Sequence, residues 1–101
     1  MTHEEVQMMA FQMIASAGDA LDYYYRAIIA HHNGETSDAN ELLQQGDKKM
    51  NECHLLQTQL VQRESSGETI PYSLIMTHAQ DHYTTGSNWQ RIASLMIHDL
   101  K

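Results

Sequence analysis

The chain has 101 residues, with 13 acidic against six basic side chains and a formal charge of -7. A single domain of this length closes a core only with difficulty, so self-association is expected, and the acidic excess argues against a nucleic-acid footprint or an anionic membrane surface. Cys53 is the only cysteine, which excludes an internal disulfide; with no apolar run near the roughly 18 residues of a bilayer span and no leader-like start, a cytoplasmic protein without membrane insertion is expected.

Three helical patterns account for nearly all of residues 1–101, at roughly 3–32, 36–64 and 71–100. The first opens on Thr2-His3-Glu4-Glu5, a capping box in which Thr2 accepts from a free backbone N–H and Glu5 reaches back. Val6, Met9, Met13, Ala17, Leu21, Tyr24 and Ile28 then recur at spacings of three and four. Asn33-Gly34 ends the pattern. The second carries Ala39, Leu43, Gly46, Met50, Cys53, Gln57 and Leu60 on one face and breaks at Ser65-Ser66-Gly67. Pro71 suits the first turn of the third helix, with Ser73 as an alternative cap. Strand signals are absent. Two short connections between long helices imply an all-α, antiparallel up-down-up three-helix bundle.

Glycines inside helices each cost about 1 kcal/mol relative to alanine. Gly46 reads as a tolerated defect. Gly18, beside Ser16, Ala17 and Ala20, reads equally as a defect or as a concave patch that another helix or a ligand approaches. His54 reads as a boundary histidine and Gln57 as a satisfied core amide.

The chemistry concentrates in His78-Ala79-Gln80-Asp81-His82. On a helix His78 and His82 stack one turn apart, with Asp81 about 60° round from His78. Both histidines fall on the stripe Ile75, His78, His82, Thr85, Trp89, Ile92, Met96, where periodicity calls for core residues and polar groups need partners. Spacing leaves three readings open: a pair of buried, hydrogen-bonded histidines; a metal site echoing the inverted zincin pattern H-x-x-E-H; or a nucleophilic histidine that takes a phosphoryl group on a neutral ring nitrogen.

The string Leu74-Ile75-Met76-Thr77-His78-Ala79-Gln80-Asp81-His82 resembles the signature of the lactose/cellobiose enzyme IIA family of the bacterial phosphoenolpyruvate-dependent sugar phosphotransferase system. Met13-Ile14-Ala15-Ser16-Ala17-Gly18-Asp19-Ala20 resembles the family's small-residue segment, and Glu52-Cys53-His54-Leu55-Leu56-Gln57-Thr58-Gln59-Leu60 its second-helix segment. The chain departs from the family at Tyr83-Thr84-Thr85-Gly86-Ser87-Asn88, a run of poor helix formers.

The resemblance implies a cytoplasmic phosphocarrier. His78 would accept a phosphoryl group from the phosphocarrier protein HPr and pass it to a IIB component during uptake of a β-disaccharide of the cellobiose, chitobiose or lactose type. His82 and Gln80 would support the transfer, Gln80 only across a subunit interface because it projects about 200° from His78. The family assembles as a homotrimer, in which Asp81 of each chain would hold one shared divalent ion, with magnesium expected. The alternative from another class is a non-catalytic, metal-stabilised helical oligomer acting as an adaptor.

Overall fold

The computed structural model describes residues 1–100. Helix α1 spans His3–His32, α2 Thr36–Ser65 and α3 Leu74–Ser94, and a π-helical turn covers Leu95–Asp99. Among the described residues there is no strand. The capping box forms as expected: the Thr2 hydroxyl accepts from the Glu5 amide at 3.1 Å, and the Glu5 carboxylate accepts from the Thr2 amide at 2.8 Å. Gly34 and Gly67, at φ +78° and +99°, turn the chain after α1 and α2. The third helix begins at Leu74 rather than at 71, because the Ser73 hydroxyl accepts from the Met76 amide at 3.2 Å and so sets the cap.

Helix α1 packs against both others, while α2 and α3 meet each other far less. The core explains why. Along α1 the buried positions are Val6, Ala10, Met13, Ala17, Ala20, Tyr24, Ala27 and Ala30, so alanines let the flanking helices come close. Met9, Leu21 and Ile28, expected on this stripe, sit half-buried at its edge. On α2 the buried set is Ala39, Leu43, Gly46, Met50 and Cys53, which matches the periodic face.

Helix α3 overturns its expected core stripe. It buries Met76, Ala79, Gly86 and Ala93, whereas His78, Thr85, Trp89, Ile92 and Met96 are exposed and Ile75 and His82 half-buried. Periodicity detects an apolar face without saying whether the bundle's own helices cover it. A core lined by alanines needs the narrow face of α3 and leaves the bulky one outside.

Of the two interior glycines, Gly46 is more than a tolerated defect. A Cβ at Gly46 would lie 2.5 Å from Cε1 of Tyr24, so the absent side chain is where the tyrosine ring lies. Gly18 has nothing of its own chain within 4 Å of such a position. Gly86, at the centre of the departing segment, is a third close approach, with Met50 Sδ at 2.5 Å and Ala17 Cβ at 3.8 Å from the position of an added Cβ. The poor helix formers around it therefore sit in an unbroken helix.

Where α2 and α3 do meet, polar side chains bridge them. Gln80 Nε2 donates to Gln57 Oε1 at 2.7 Å, His54 Nδ1 and Tyr83 Oη share a hydrogen bond at 2.8 Å, and Gln90 Nε2 donates to Asp47 Oδ1 at 3.1 Å. A fourth, His98 Nε2 with Asn40 Oδ1 at 3.0 Å, comes from the π-helical turn. Partners on α2 step down the chain as those on α3 climb, the order antiparallel helices require. The same turn replaces the α-helix expected to run to 100, buries Ile97 and closes with Leu100 N–H on the Leu95 carbonyl at 2.9 Å.

Near the start of α3 the loop is pinned by Arg63, whose Nε and Nη2 donate to the two Glu68 oxygens at 2.9 Å each. The Arg63 guanidinium, and then the Met1 ammonium, hold the Glu68 carboxyl down at about 2 against an ordinary 4.5. A lowered folded value means stability that is present above the unfolded pKa and lost as pH falls through the folded one. In Arg63→Gln the loss of stability between pH 4.5 and about 2 should therefore be shallower than in the parent, as read from melting curves by circular dichroism.

Gly46→Ala forces a methyl against the Tyr24 ring. Overpacking of this kind costs about 1–3 kcal/mol, more than the roughly 1 kcal/mol of helix propensity regained. Calorimetry should show Tm lowered by about 5 °C; an unchanged or higher Tm would mean that the ring slides aside freely.

Candidate functional site

The first turns of α3 carry the His78, Asp81 and His82 cluster on the face turned away from the core. His78 and Asp81 are exposed and His82 half-buried, so the reading of two buried histidines is overturned. The imidazoles meet edge to face, centroids 4.3 Å apart and planes at 71°. His82 Nδ1 lies 3.2 Å from the His78 carbonyl oxygen. A carbonyl only accepts, so Nδ1 carries the proton and donates, and the neutral ring keeps its lone pair on Nε2. That bond plants the second ring beside the first. The His78 side chain has no hydrogen-bond partner among the described residues, which leaves its ring nitrogens open to solvent.

A shallow hollow borders His78, lined by Leu74, Ile75, Thr77, His78 and Asp81. The Thr77 hydroxyl is turned back onto the Ser73 carbonyl at 3.3 Å. Leu74 is 71% exposed and Trp89 41%, and the bulky side chains below continue the apolar face along α3. Asp81 forms no ion pair among the described residues, and no lysine or arginine occurs between Thr77 and Gln90. No three His, Cys, Asp or Glu side chains gather into a metal-holding group among the described residues. One chain therefore supplies a single free carboxylate on an apolar face, a donor that fits a hard divalent cation only when other carboxylates join it.

Gln80 lies on the far side of α3. It is half-buried, with Nε2 on Gln57 and 3.4 Å from Met76 Sδ, and does not reach His78 of its own chain. His54, expected at a boundary, is exposed and stacks over Tyr83 with centroids 6.1 Å apart. Tyr83 and Gln90 were not marked by sequence reasoning. Their signal is the spacing 80, 83, 90 on the third helix, a polar stripe distinct from the apolar one. Cys53 is fully buried with Sγ 3.6 Å from the Met13 carbonyl, and burial pushes the thiol up to about 11. It is no nucleophile at neutral pH.

Residues 8–101 match the family model described as PTS system, Lactose/Cellobiose specific IIA subunit. The lactose-specific EIIA component of Staphylococcus aureus (strain N315) is 39% identical over 85 residues, 84% of this chain and 82% of that protein. The lactose-specific EIIA component of Lactococcus lactis subsp. lactis is also 39% identical over 85 residues, 84% of this chain and 81% of its own. Among solved structures, PtcA from S. mutans superposes with a TM-score of 0.93 at 33% identity, over 96% of this chain and 95% of that one. The PTS cellobiose-specific enzyme IIA from Bacillus anthracis gives 0.87 at 30% identity, over 96% and 87%. With the sequence match covering nearly the whole chain and the same three-helix fold in its solved relatives, the chain belongs to the lactose/cellobiose-specific IIA family and is a phosphotransfer component of a sugar phosphotransferase system.

Proposed function

We propose that His78 accepts a phosphoryl group from phosphorylated HPr and hands it to a cysteine of a cognate IIB component, in the cytoplasm, for uptake of a cellobiose-, chitobiose- or lactose-type disaccharide. The observation that carries this reading is the His78 ring itself, exposed, unpartnered and buttressed edge-on by His82. In the forward step a His78 ring nitrogen attacks phosphorus as the N–P bond of the donor breaks; in the next, a thiolate attacks as the His78 N–P bond breaks. Such transfer asks mainly for positioning and charge stabilisation. His82 supplies both: its Nδ1–H anchor holds the ring in place, and Nε2, once protonated, donates to a phosphoryl oxygen. Gln80 would touch the phosphoryl group only from a neighbouring subunit, since in its own chain it faces α2.

The working assembly in this reading is a homotrimer joined along the exposed apolar face of α3. Large apolar side chains left uncovered on a small protein favour such a contact. Asp81 from each of three chains would hold one divalent ion, magnesium by the hardness of the oxygen donors. When bound, the ion neutralises carboxylates that would otherwise repel one another.

His78→Ala should abolish acid-labile phosphate incorporated from phosphoenolpyruvate, enzyme I and HPr while leaving the circular dichroism unchanged, because the ring packs on the outside. Stable label on another histidine would overturn the assignment, and no label on the parent chain would favour a non-catalytic role.

Asp81→Leu should lose the divalent ion and yet stay trimeric, since apolar packing replaces a costly ion cluster. Light scattering at micromolar concentration and elemental analysis read the two outcomes. A monomeric parent, or a parent purified without metal, would count against the shared site.

A further inference from the structure

We propose that Gln57 is a positioning residue for His78, acting through Gln80 to fix the rotation of α3 about its own axis, with the His54–Tyr83 pair as a second lock. The inference rests on His78 being the phosphoryl acceptor. The turn of α3 that bears the cluster buries Met76 and Ala79 in the core, with Ile75 and Tyr83 packed half-buried at its edge. These side chains set how deeply the helix sits, but hydrophobic contact is non-directional and a methionine adapts to its surroundings. Rotation is left loosely specified.

Hydrogen bonds are directional, and two of them act on this turn from the side opposite His78. Gln57 Oε1 accepts from Gln80 Nε2 at 2.7 Å, between two half-buried amides. One turn on, His54 meets the Tyr83 hydroxyl at 2.8 Å, with the rings stacked at an interplanar angle of 24°. The imidazole of His78 stands about 6 Å from the helix axis, so a rotation of roughly 10° moves it by about 1 Å. A displacement of that size can cost up to about 100-fold in rate where reacting atoms must be aligned. The helix α2 segment Glu52–Leu60 thus acquires a task, although none of its side chains touches the phosphoryl acceptor.

The test measures initial rates of phosphorylation of the whole chain by phosphoenolpyruvate, enzyme I and HPr. Gln57→Met keeps the length and removes the acceptor; its maximal rate should fall about tenfold, with half-saturating HPr unchanged and Tm within a few degrees of the parent. Gln57→Glu still offers an oxygen to the Gln80 amide and should restore the rate to within about twofold. A Gln57→Met protein at parental rate, or a Gln57→Glu protein as slow as Gln57→Met, overturns the proposal. Should Gln57→Met fail to fold, Tyr83→Phe removes only the hydroxyl of the second lock, and its maximal rate should fall about threefold; a parental rate there overturns the proposal equally. A parent chain that takes no label, or takes it equally in His78→Ala, instead brings down the acceptor assignment on which this inference stands, before any α2 variant is measured.

Discussion

The Asp47 carboxylate is the point on which the bundle turns. From α2 it accepts the Tyr24 hydroxyl of α1 at 2.8 Å and the Gln90 amide of α3 at 3.1 Å, so one oxygen binds all three helices. The tyrosine reaches it by lying, fully buried, in the space that Gly46 leaves. Burial first, and then the hydrogen bond to Asp47, push the Tyr24 phenol well above its ordinary range. It stays a donor at any pH the protein meets. Ring, glycine and carboxylate set the spacing of α1 and α2 and the register of α3 against both.

From that spacing the placement of the site follows. Helices held close by alanine and glycine along the middle of the bundle leave no room there for the bulky stripe of α3, Trp89 and Ile92 included, or for a histidine pair. The broad apolar face of α3 is therefore displaced outward, and the polar cluster goes with it. The cluster escapes the desolvation that would accompany an ionisable group in the core, and in the single chain it lies on the outside of the bundle. On the opposite side of the same helix, polar bridges to α2 do what bulky packing does in larger bundles: they specify which way the helix faces.

Much of this was legible in the residues. The capping box at Thr2, the turns at Gly34 and Gly67 and the buried set Ala39 to Cys53 follow from local chemistry and period alone, and the motif from Leu74 to His82 carried the family. What was not legible depended on neighbours. A period of 3.6 marks an apolar face on α3 but cannot tell a core from a surface. Nor can a glycine in a helix declare whether anything presses on it, so the close approach of Tyr24 to Gly46 is visible only in the fold. Pro71 and Ser73 both suit a helix start, and only the Ser73 hydroxyl on the Met76 amide decides between them. The π-helical turn at Leu95–Asp99 left no mark in the periodicity.

The outward position of His78 bears on how a modified chain differs from an unmodified one. A phosphoryl group there adds close to two negative charges on a surface that is already acidic, beside a ring anchored to backbone and remote from the Tyr24–Asp47 contact. Nothing in the core has to rearrange to accommodate it. The two forms of the protein would then share one shape and differ in electric potential around a single ring, so a docking protein would tell a loaded carrier from an empty one by charge. An acidic body would sharpen that signal, since added negative charge weakens contact with acidic surfaces and strengthens contact with basic ones.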